Sequence, residues 1–208
     1  MSFSKFELRD LAVCWLALGL CFSLQYLMPQ QGTPYSQSLA QFAVFLGVAL
    51  IGIGAGFLLH ELAHKGVAQR FGYHAEFRMW KLGLIIAVAS AIISFGRFLF
   101  FAPGAVYTST YKQPDPGQEG MISAAGPVAN IILAGLFYLL AAATGYSGFW
   151  SLIGVFGFQV NLWLAAFNLI PFPPLDGVKI LRWNKVAWFL LVVVSWGLLL
   201  MLMLGVIK

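Results

Sequence analysis

Two long stretches without a charged side chain constrain the fold of this sequence more than any other feature. No Asp, Glu, Lys or Arg occurs over residues 11–59, and none occurs over residues 121–175. The whole chain is 61% hydrophobic and only 9% charged, whereas ordinary globular chains carry roughly 25% charged residues. Such a chain lacks the polar surface that a water-soluble core needs. The sequence therefore excludes a soluble domain and predicts an integral membrane protein.

Each uncharged stretch is too long for one crossing, because a spanning helix needs about 20 apolar residues. Turn-forming residues divide the first stretch at 28–34 and the second at 144–148. The predicted spans are 11–28, 40–64, 121–143, 150–170 and 186–207, and a further apolar run, 82–106, is interrupted by Arg97. We therefore predict an all-α polytopic membrane protein with about five to six transmembrane helices and a re-entrant or β-hairpin-like segment near 82–110. Residues 1–208 are expected to form a single membrane-embedded domain with its core at 40–180.

The positions of Lys and Arg indicate how run 82–106 meets the membrane. If this run is re-entrant, eleven of the 12 basic residues lie on one side of the membrane and Lys208 alone lies on the other. A full crossing would move Lys112 and the three basic residues at 179–185 outward. Since Lys and Arg collect in cytoplasmic loops, the re-entrant arrangement is favoured, with the N-terminus in the cytoplasm. The net charge of +5 is then a signal of topology, and nucleic acid is not expected as a partner.

The segment His60–His64 reads HELAH and lies at the end of the second predicted span. Residues four apart share a helix face, so these two imidazoles can bind one metal ion. Two neutral imidazoles, an open position for water and an adjacent carboxylate, Glu61, are typical of a zinc hydrolase. The alternative is accidental spacing. With only three His in the chain, chance would give this pattern in on the order of one in a thousand such sequences.

Zinc needs a third protein ligand, and the remaining candidates are His74, Glu76, Asp115, Glu119 and Asp176. The first two follow the helix too closely to fold back easily, and the next two lie in a polar loop with Pro and Gly. Asp176 follows three prolines at the end of the long uncharged stretch. The prolines end the helix and fix an irregular backbone. At membrane depth such a backbone is tolerated only against protein or a water-filled cavity. An ordinary turn aspartate before Gly177 is the alternative, but the re-entrant topology brings Asp176 to the side where His64 emerges.

Small and polar residues extend the pattern along this span and into the next one. Gly52 and Gly56 continue the four-residue spacing of the two histidines, which favours close approach of the Asp176 segment to that helix face. In the next span, Asn130 follows Gly126-Pro127 by one turn. It could serve the site or simply join two helices through its amide.

Taken together, these motifs resemble the site-2 protease family of intramembrane zinc metalloproteases. The resemblance rests on HELAH within a span, on Gly126-Pro127-x-x-Asn130, and on Asn168 eight residues before Asp176-Gly177, and it covers residues 40–180. It implies one Zn²⁺ per chain, held by His60, His64 and Asp176. It also implies that Glu61 is the catalytic base, that Asn168 stabilises the reacting group, and that membrane-spanning segments of other proteins are the substrates. Many members carry a PDZ or CBS domain, and none is expected here.

A helical substrate must be unwound before a protease can cut it, and an edge strand could hold it extended. Residues 103–110 are rich in β-branched and aromatic side chains, so we predict an edge strand there with Val106 and Thr108 as substrate-binding positions. A re-entrant helix followed by a loop is the alternative. The lipid bilayer is the other expected partner.

Two other functions share some of these features. A membrane metal-ion transporter also places His and Asp in spans, but it needs polar groups along a pathway, whereas here they gather at one helix end. A prenyl-protein protease shares the helix motif but typically takes a glutamate as third ligand.

Overall fold

The structure is a computed structural model that describes residues 1–27, 35–96, 104–109 and 115–207. The helices are α1 (Lys5–Ser23), α2 (Tyr35–Arg70), α3 (Lys81–Ile93), α4 (Pro116–Ala143), α5 (Gly148–Asn168), α6 (Asp176–Trp183) and α7 (Lys185–Met203), and the strands are β1 (His74–Met79) and β2 (Gly104–Ser109). The predicted turn at 28–34, Arg97, Lys112, Lys208 and the outer residues of the predicted strand, 103 and 110, lie outside the described residues.

Four helices within the described ranges are long and apolar enough to cross a membrane, namely Gln37–Arg70, Pro116–Ala143, Gly148–Asn168 and Lys185–Met203. They contain most of the predicted spans 40–64, 121–143, 150–170 and 186–207. The predicted span 11–28 falls largely on α1, which begins at Lys5 and carries four charged residues in its first two turns. Because α1 is not among the four, the expected count of five to six spans is not confirmed.

The outward faces of these helices are apolar. Only 11% of the most apolar window of α7 is buried inside the protein, and its exposed side chains include Phe189, Leu190 and Val193. A contiguous apolar surface of this kind would drive association in water. It suits the hydrocarbon of a bilayer, as the uncharged stretches predict.

β1 and β2 form a two-stranded antiparallel sheet in which Met79 lies opposite Gly104 and His74 opposite Ser109. The chain therefore leaves the sheet after Met79 and returns beside it at Gly104. Between them α3 has 13 residues, which is too short for a full crossing. The strand predicted within 103–110 is present as β2, and the alternative of a loop there is wrong. Its partner β1 was not predicted.

α2 extends beyond the HELAH segment to Arg70, so the two histidines lie inside this helix rather than at its end. The extension passes through Lys65, which is 1% exposed. This ammonium group forms an ion pair with Glu7 of α1 and lies 4.2 Å from the centre of the Phe3 ring. A charge next to an apolar span is tolerated here because it is paired inside the protein.

The glycine strip of α2 packs against α5. A Cβ at Gly52 would lie 3.3 Å from Cα of Gly157, and one at Gly56 would lie 2.8 Å from Oδ1 of Asn161. The expected close approach is therefore real, but the approaching element is α5 and not the Asp176 segment. α5 ends at Asn168 and leads into that segment, so the packing positions the site indirectly.

Candidate metal centre

His60, His64 and Asp176 converge on one point between α2 and the N-terminal end of α6. The Nε2 atoms of the two histidines are 3.0 Å apart. Oδ2 of Asp176 lies 3.4 Å from Nε2 of His60 and 3.2 Å from Nε2 of His64. Both histidines are buried, and the side chain of Asp176 is 17% exposed. Among the described residues, this is the one group of three or more His, Cys, Asp or Glu side chains with the spacing of a metal site.

The other ring nitrogens of the histidines already have partners. Nδ1 of His60 donates to Oδ1 of Asn130 at 2.6 Å, and Nδ1 of His64 donates to the backbone carbonyl of Ile122 at 2.7 Å. In the neutral imidazole a protonated Nδ1 leaves a lone pair on Nε2. Two lone pairs and a carboxylate oxygen therefore face one another across about 3 Å. Such an arrangement of acceptors is suited to bind a cation.

The size of this triangle fits zinc. Ligand atoms at about 2.0–2.1 Å from a tetrahedral zinc ion lie about 3.3 Å from one another, and the three edges measured here are 3.0, 3.2 and 3.4 Å. A tetrahedron with three protein ligands also keeps one position open, which is the pattern of catalytic zinc sites. The donor set, two imidazoles and one carboxylate, suits the same ion.

Asn130 is held in turn by two further groups. Its Nδ2 donates to the carbonyl of Gly56 at 3.1 Å and to Oδ1 of Asn161 at 2.9 Å. Nδ2 of Asn161 donates to the carbonyl of Gly157 at 2.8 Å, and both asparagines are fully buried. This network joins α2, α4 and α5 and leaves Oδ1 of Asn130 facing His60. Asn130 is thus more than a link between helices, and Asn161 was missed by the sequence reasoning because an isolated Asn in an apolar helix carries no motif.

Glycines bring the surrounding backbones close to the ligands. A Cβ at Gly126 would lie 2.4 Å from Nε2 of His64 and 2.6 Å from Nε2 of His60. A Cβ at Gly177 would lie 2.3 Å from the carbonyl oxygen of Leu169. The first glycine keeps the metal face of α4 clear, and the second lets the turn before α6 close so that Asp176 reaches the histidines.

The Asp176 carboxyl is electrostatically suited to remain ionised. Burial by itself raises the pKa of this carboxyl, whereas positive charge placed between the two Nε2 atoms and Asp176 lowers it, so a bound cation favours the carboxylate. A deprotonated carboxylate is the form that binds a metal ion.

Glu61 lies beside the triangle without belonging to it. It is buried, and within the described structure its Oε2 atom has no hydrogen-bond partner. The backbone N–H of Val106 in β2 faces the Glu61 carboxylate. A buried, unpartnered carboxylate oxygen is costly unless another group, such as water, completes its hydrogen bonding. The Glu61 carboxylate therefore lies beside the triangle, where a general base for hydrolysis would act.

These groups border a cavity of about 170 Å³, which is lined by Phe57, His60, Glu61, His64, Gly104, Ala105, Val106, Thr108, Glu119, Ile122, Ser123, Leu164, Asn168, Pro174, Leu175, Asp176 and Lys179. The lining includes the three predicted metal ligands together with Glu61, Asn168, Val106 and Thr108. Asn168 lies at its wall, with its Nδ2 donating to the carbonyl of Leu164 at 2.9 Å. Lys179 and Ser123 border the same cavity and were not predicted.

The other sequence candidates lie elsewhere or play other roles. His74 and Glu76 are in β1, away from the triangle. Asp115 caps α4, since its Oδ1 accepts from the backbone N–H of Gly117 at 2.8 Å. Glu119 borders the cavity but is not in the ligand group.

Apolar helices around a His-His-Asp triangle, with a buried glutamate beside it, define a membrane metallohydrolase of the zinc protease type. The profile of Peptidase family M50, the site-2 protease family, matches residues 48–147. The chain is 39% identical over 187 residues to "Putative zinc metalloprotease MJ0611" of Methanocaldococcus jannaschii, covering 89% of this chain and 88% of that protein. The chain belongs to this family.

Two bacterial relatives agree. "Putative zinc metalloprotease YwhC" of Bacillus subtilis is 33% identical over 66% of this chain and 68% of its own length. "Putative zinc metalloprotease Rip2" of Mycolicibacterium smegmatis is 36% identical over 64% of this chain and 56% of its own length. No solved structure matches the chain significantly. The family and the donor set identify this chain as a multi-pass membrane zinc metalloprotease with one zinc ion.

Proposed function

We propose that this enzyme hydrolyses peptide bonds in or near the transmembrane segments of membrane protein substrates, as in regulated intramembrane proteolysis. The observation that carries the proposal is the shared cavity of about 170 Å³, in which the His-His-Asp triangle, Glu61 and one edge strand meet among apolar helices. A substrate segment that lies in the bilayer is the ligand that such a position suits.

In this proposal His60, His64 and Asp176 hold the zinc ion. When bound there, zinc supplies a nucleophile by lowering the pKa of a coordinated water toward about 7, and it polarises the scissile carbonyl. The unpartnered Oε2 of Glu61 is the base that takes the proton of the attacking water. As the C–N bond breaks, Glu61 returns this proton to the departing amine.

Asn168 completes the proposed catalytic group from the wall of the cavity. Its amide could donate to the oxygen of the reacting carbonyl, where a single donor contributes about 3 kcal/mol in other enzymes. In the structure Nδ2 of Asn168 donates to the carbonyl of Leu164 in the same helix. It would have to leave this partner when substrate binds. Asn168 is thus assigned to the transition state rather than to metal binding.

Val106 and Thr108 are the proposed substrate-binding positions on β2. Both border the cavity, and strand addition would replace the hydrogen bonds that the substrate loses as its helix unwinds. The N-terminus and the mouth of the site are assigned to the cytoplasmic side, in agreement with the distribution of Lys and Arg.

The proposal is tested with purified enzyme in proteoliposomes. One substrate carries a membrane-spanning segment, and a second carries the same residues as a soluble peptide. We expect cleavage of the spanning substrate within or next to the membrane segment. Cleavage of the soluble peptide alone would contradict the proposal.

Two alternatives explain less of the site. In a metal-ion transporter Glu61 would not need to transfer a proton, and zinc flux through vesicles would persist in Glu61→Gln. A prenyl-protein protease would typically present a glutamate where this chain presents Asp176, and it would cleave a prenylated C-terminal peptide in the same assay.

A further inference from the structure

Two carboxylates of α1 bind the backbone of β1. Oε1 of Glu7 accepts from the backbone N–H of Phe77 at 3.0 Å. Oδ2 of Asp10 accepts from the backbone N–H of Met79 at 3.2 Å. The acceptors lie one helical turn apart on α1, and the donors lie two residues apart on one edge of β1. Both Glu7 and Asp10 are buried.

These contacts determine which edge of the sheet is open. In an antiparallel pair, alternate residues direct their N–H and C=O groups toward and away from the partner strand. Since the backbone N–H groups of Phe77 and Met79 point toward α1, the backbones of Glu76 and Arg78 bond to β2. Val106 lies opposite Phe77, so it directs its backbone away from β1, as does Thr108. The carboxylates of α1 thus take the place of a third strand beside β1, and the outer edge of β2 faces the cavity.

The side chains that join α1, α2 and β1 at these contacts are almost inaccessible to solvent. Glu7, Lys65 and Phe77 are each 1% exposed, and the second carboxylate oxygen of Glu7 pairs with Lys65. A backbone N–H left unpaired at such a depth is destabilising. Lys65 is adjacent to the ligand His64, and the Phe77 ring packs edge-on against Phe57 of the cavity wall, with centroids 5.6 Å apart. The carboxylates therefore link the sheet to the metal-binding helix.

We infer that Glu7 and Asp10 are positioning residues that occupy the outer edge of β1, so that a substrate strand can pair only with β2 beside the metal. This inference rests on the proposed function, because it concerns the same extended substrate. Without these acceptors, β1 would offer a second edge and the sheet would move relative to the cavity. Substrate would then bind more weakly or away from the metal, while the metal site itself would be retained.

The first test compares Asp10→Ala with Asp10→Asn, with cleavage rates normalised to bound zinc. The alanine removes the acceptor for Met79, whereas the asparagine keeps a side-chain oxygen there. We expect KM to rise about tenfold in the alanine variant, the change that loss of one hydrogen bond gives. We expect kcat per zinc to remain near wild type, and Asp10→Asn to restore KM.

The second test separates the strand contact from the buried charge pair. Glu7→Gln with Lys65→Met removes both charges but keeps an acceptor for Phe77, whereas Glu7→Leu with Lys65→Met removes that acceptor as well. We expect the first double variant to keep a KM near wild type and the second to show a raised KM. Equal KM values in the two double variants would overturn the role of Glu7.

Cross-linking tests the choice of edge directly. A spanning substrate with a photoreactive side chain is bound to Glu61→Gln enzyme so that it stays intact. We expect cross-links to β2 alone, and additional cross-links to β1 when Asp10→Ala and Glu7→Leu/Lys65→Met are introduced. An unchanged pattern together with an unchanged KM would overturn the inference while leaving the proposed function intact. A wild-type enzyme that cleaves no spanning substrate would overturn both.

Discussion

The side-chain oxygen of Asn130 accepts the Nδ1 proton of His60 at 2.6 Å, and this bond directs Nε2 of the histidine toward Asp176. The amide of Asn130 cannot turn over freely, because its Nδ2 is held by Gly56 and Asn161. An asparagine on one helix thus fixes which nitrogen of a histidine on another helix is available to the metal. Partners of this kind hold a metal ligand in its binding orientation.

Replacing Asn130 by alanine should therefore weaken zinc binding. We expect the affinity to fall by about 10–100-fold, the usual effect of losing such a partner, and Asn161→Ala to cause a smaller loss because it acts through Asn130. Zinc affinity is measured by competition with a chelator. Asn184→Ala is the matched control, since Asn184 caps α7 away from the site. An equal loss in this control would show that the effect is general destabilisation.

A methyl group at Gly126 should exclude the metal. The added Cβ would lie 2.4–2.6 Å from both Nε2 atoms, in the space that the ligands need. We expect Gly126→Ala to lose zinc and activity together, as measured by metal analysis of purified protein. Gly135→Ala on the same helix meets nothing within 4 Å and should bind zinc normally. A zinc-replete Gly126→Ala enzyme would contradict the packing described here.

Proline at the substrate edge should separate substrate binding from metal binding. Thr108→Pro removes a backbone N–H that points away from β1, and proline cannot donate to an added strand. We expect cleavage to fall at least tenfold with full zinc content, whereas Thr108→Val, which keeps the N–H, stays active. Val106→Pro should impair cleavage further, since the N–H of Val106 also faces Glu61. Equal losses of zinc and of cleavage would contradict the role of β2 as a substrate-binding edge strand.

Removal of zinc should abolish cleavage reversibly and lower the thermal stability of the protein. A ligand that binds only the folded state stabilises it by about 2.7 kcal/mol at a hundredfold excess over its Kd. We expect the apoprotein to melt at a lower temperature than the zinc form and to regain activity with one equivalent of zinc. Cleavage by metal-free enzyme would be inconsistent with the assigned ligands.

The proposed metal ligands could be found from sequence because charge is scarce in this chain. Only seven residues are acidic, and the two that adjoin predicted spans, Glu61 and Asp176, therefore stand out. The spacing of HELAH needs no tertiary information. The strand within 103–110 could be predicted from its composition. In both cases a local pattern is sufficient, since helix faces and β propensity depend on nearby residues.

The remaining features depend on tertiary contacts that no local pattern encodes. Glu7 and Asp10 look like interfacial charges in the sequence, and only the fold shows that they bind β1. Lys65 also looks like an interfacial charge in the sequence. In the fold it pairs with Glu7, and α2 continues past it to Arg70. β1 was missed because its six residues include His74, Glu76 and Arg78, and polar residues at these positions resemble a loop until the partner strand is known.

Cleavage of a membrane-spanning substrate by Glu61→Gln, with zinc quantified beside wild type, tests the central claim most directly. Glutamine keeps the size of the side chain but cannot take a proton from water. The account predicts a full equivalent of zinc and a loss of cleavage of at least a hundredfold, as removal of a general base costs about 10²–10⁴-fold. Wild-type cleavage by the zinc-loaded variant would contradict the account.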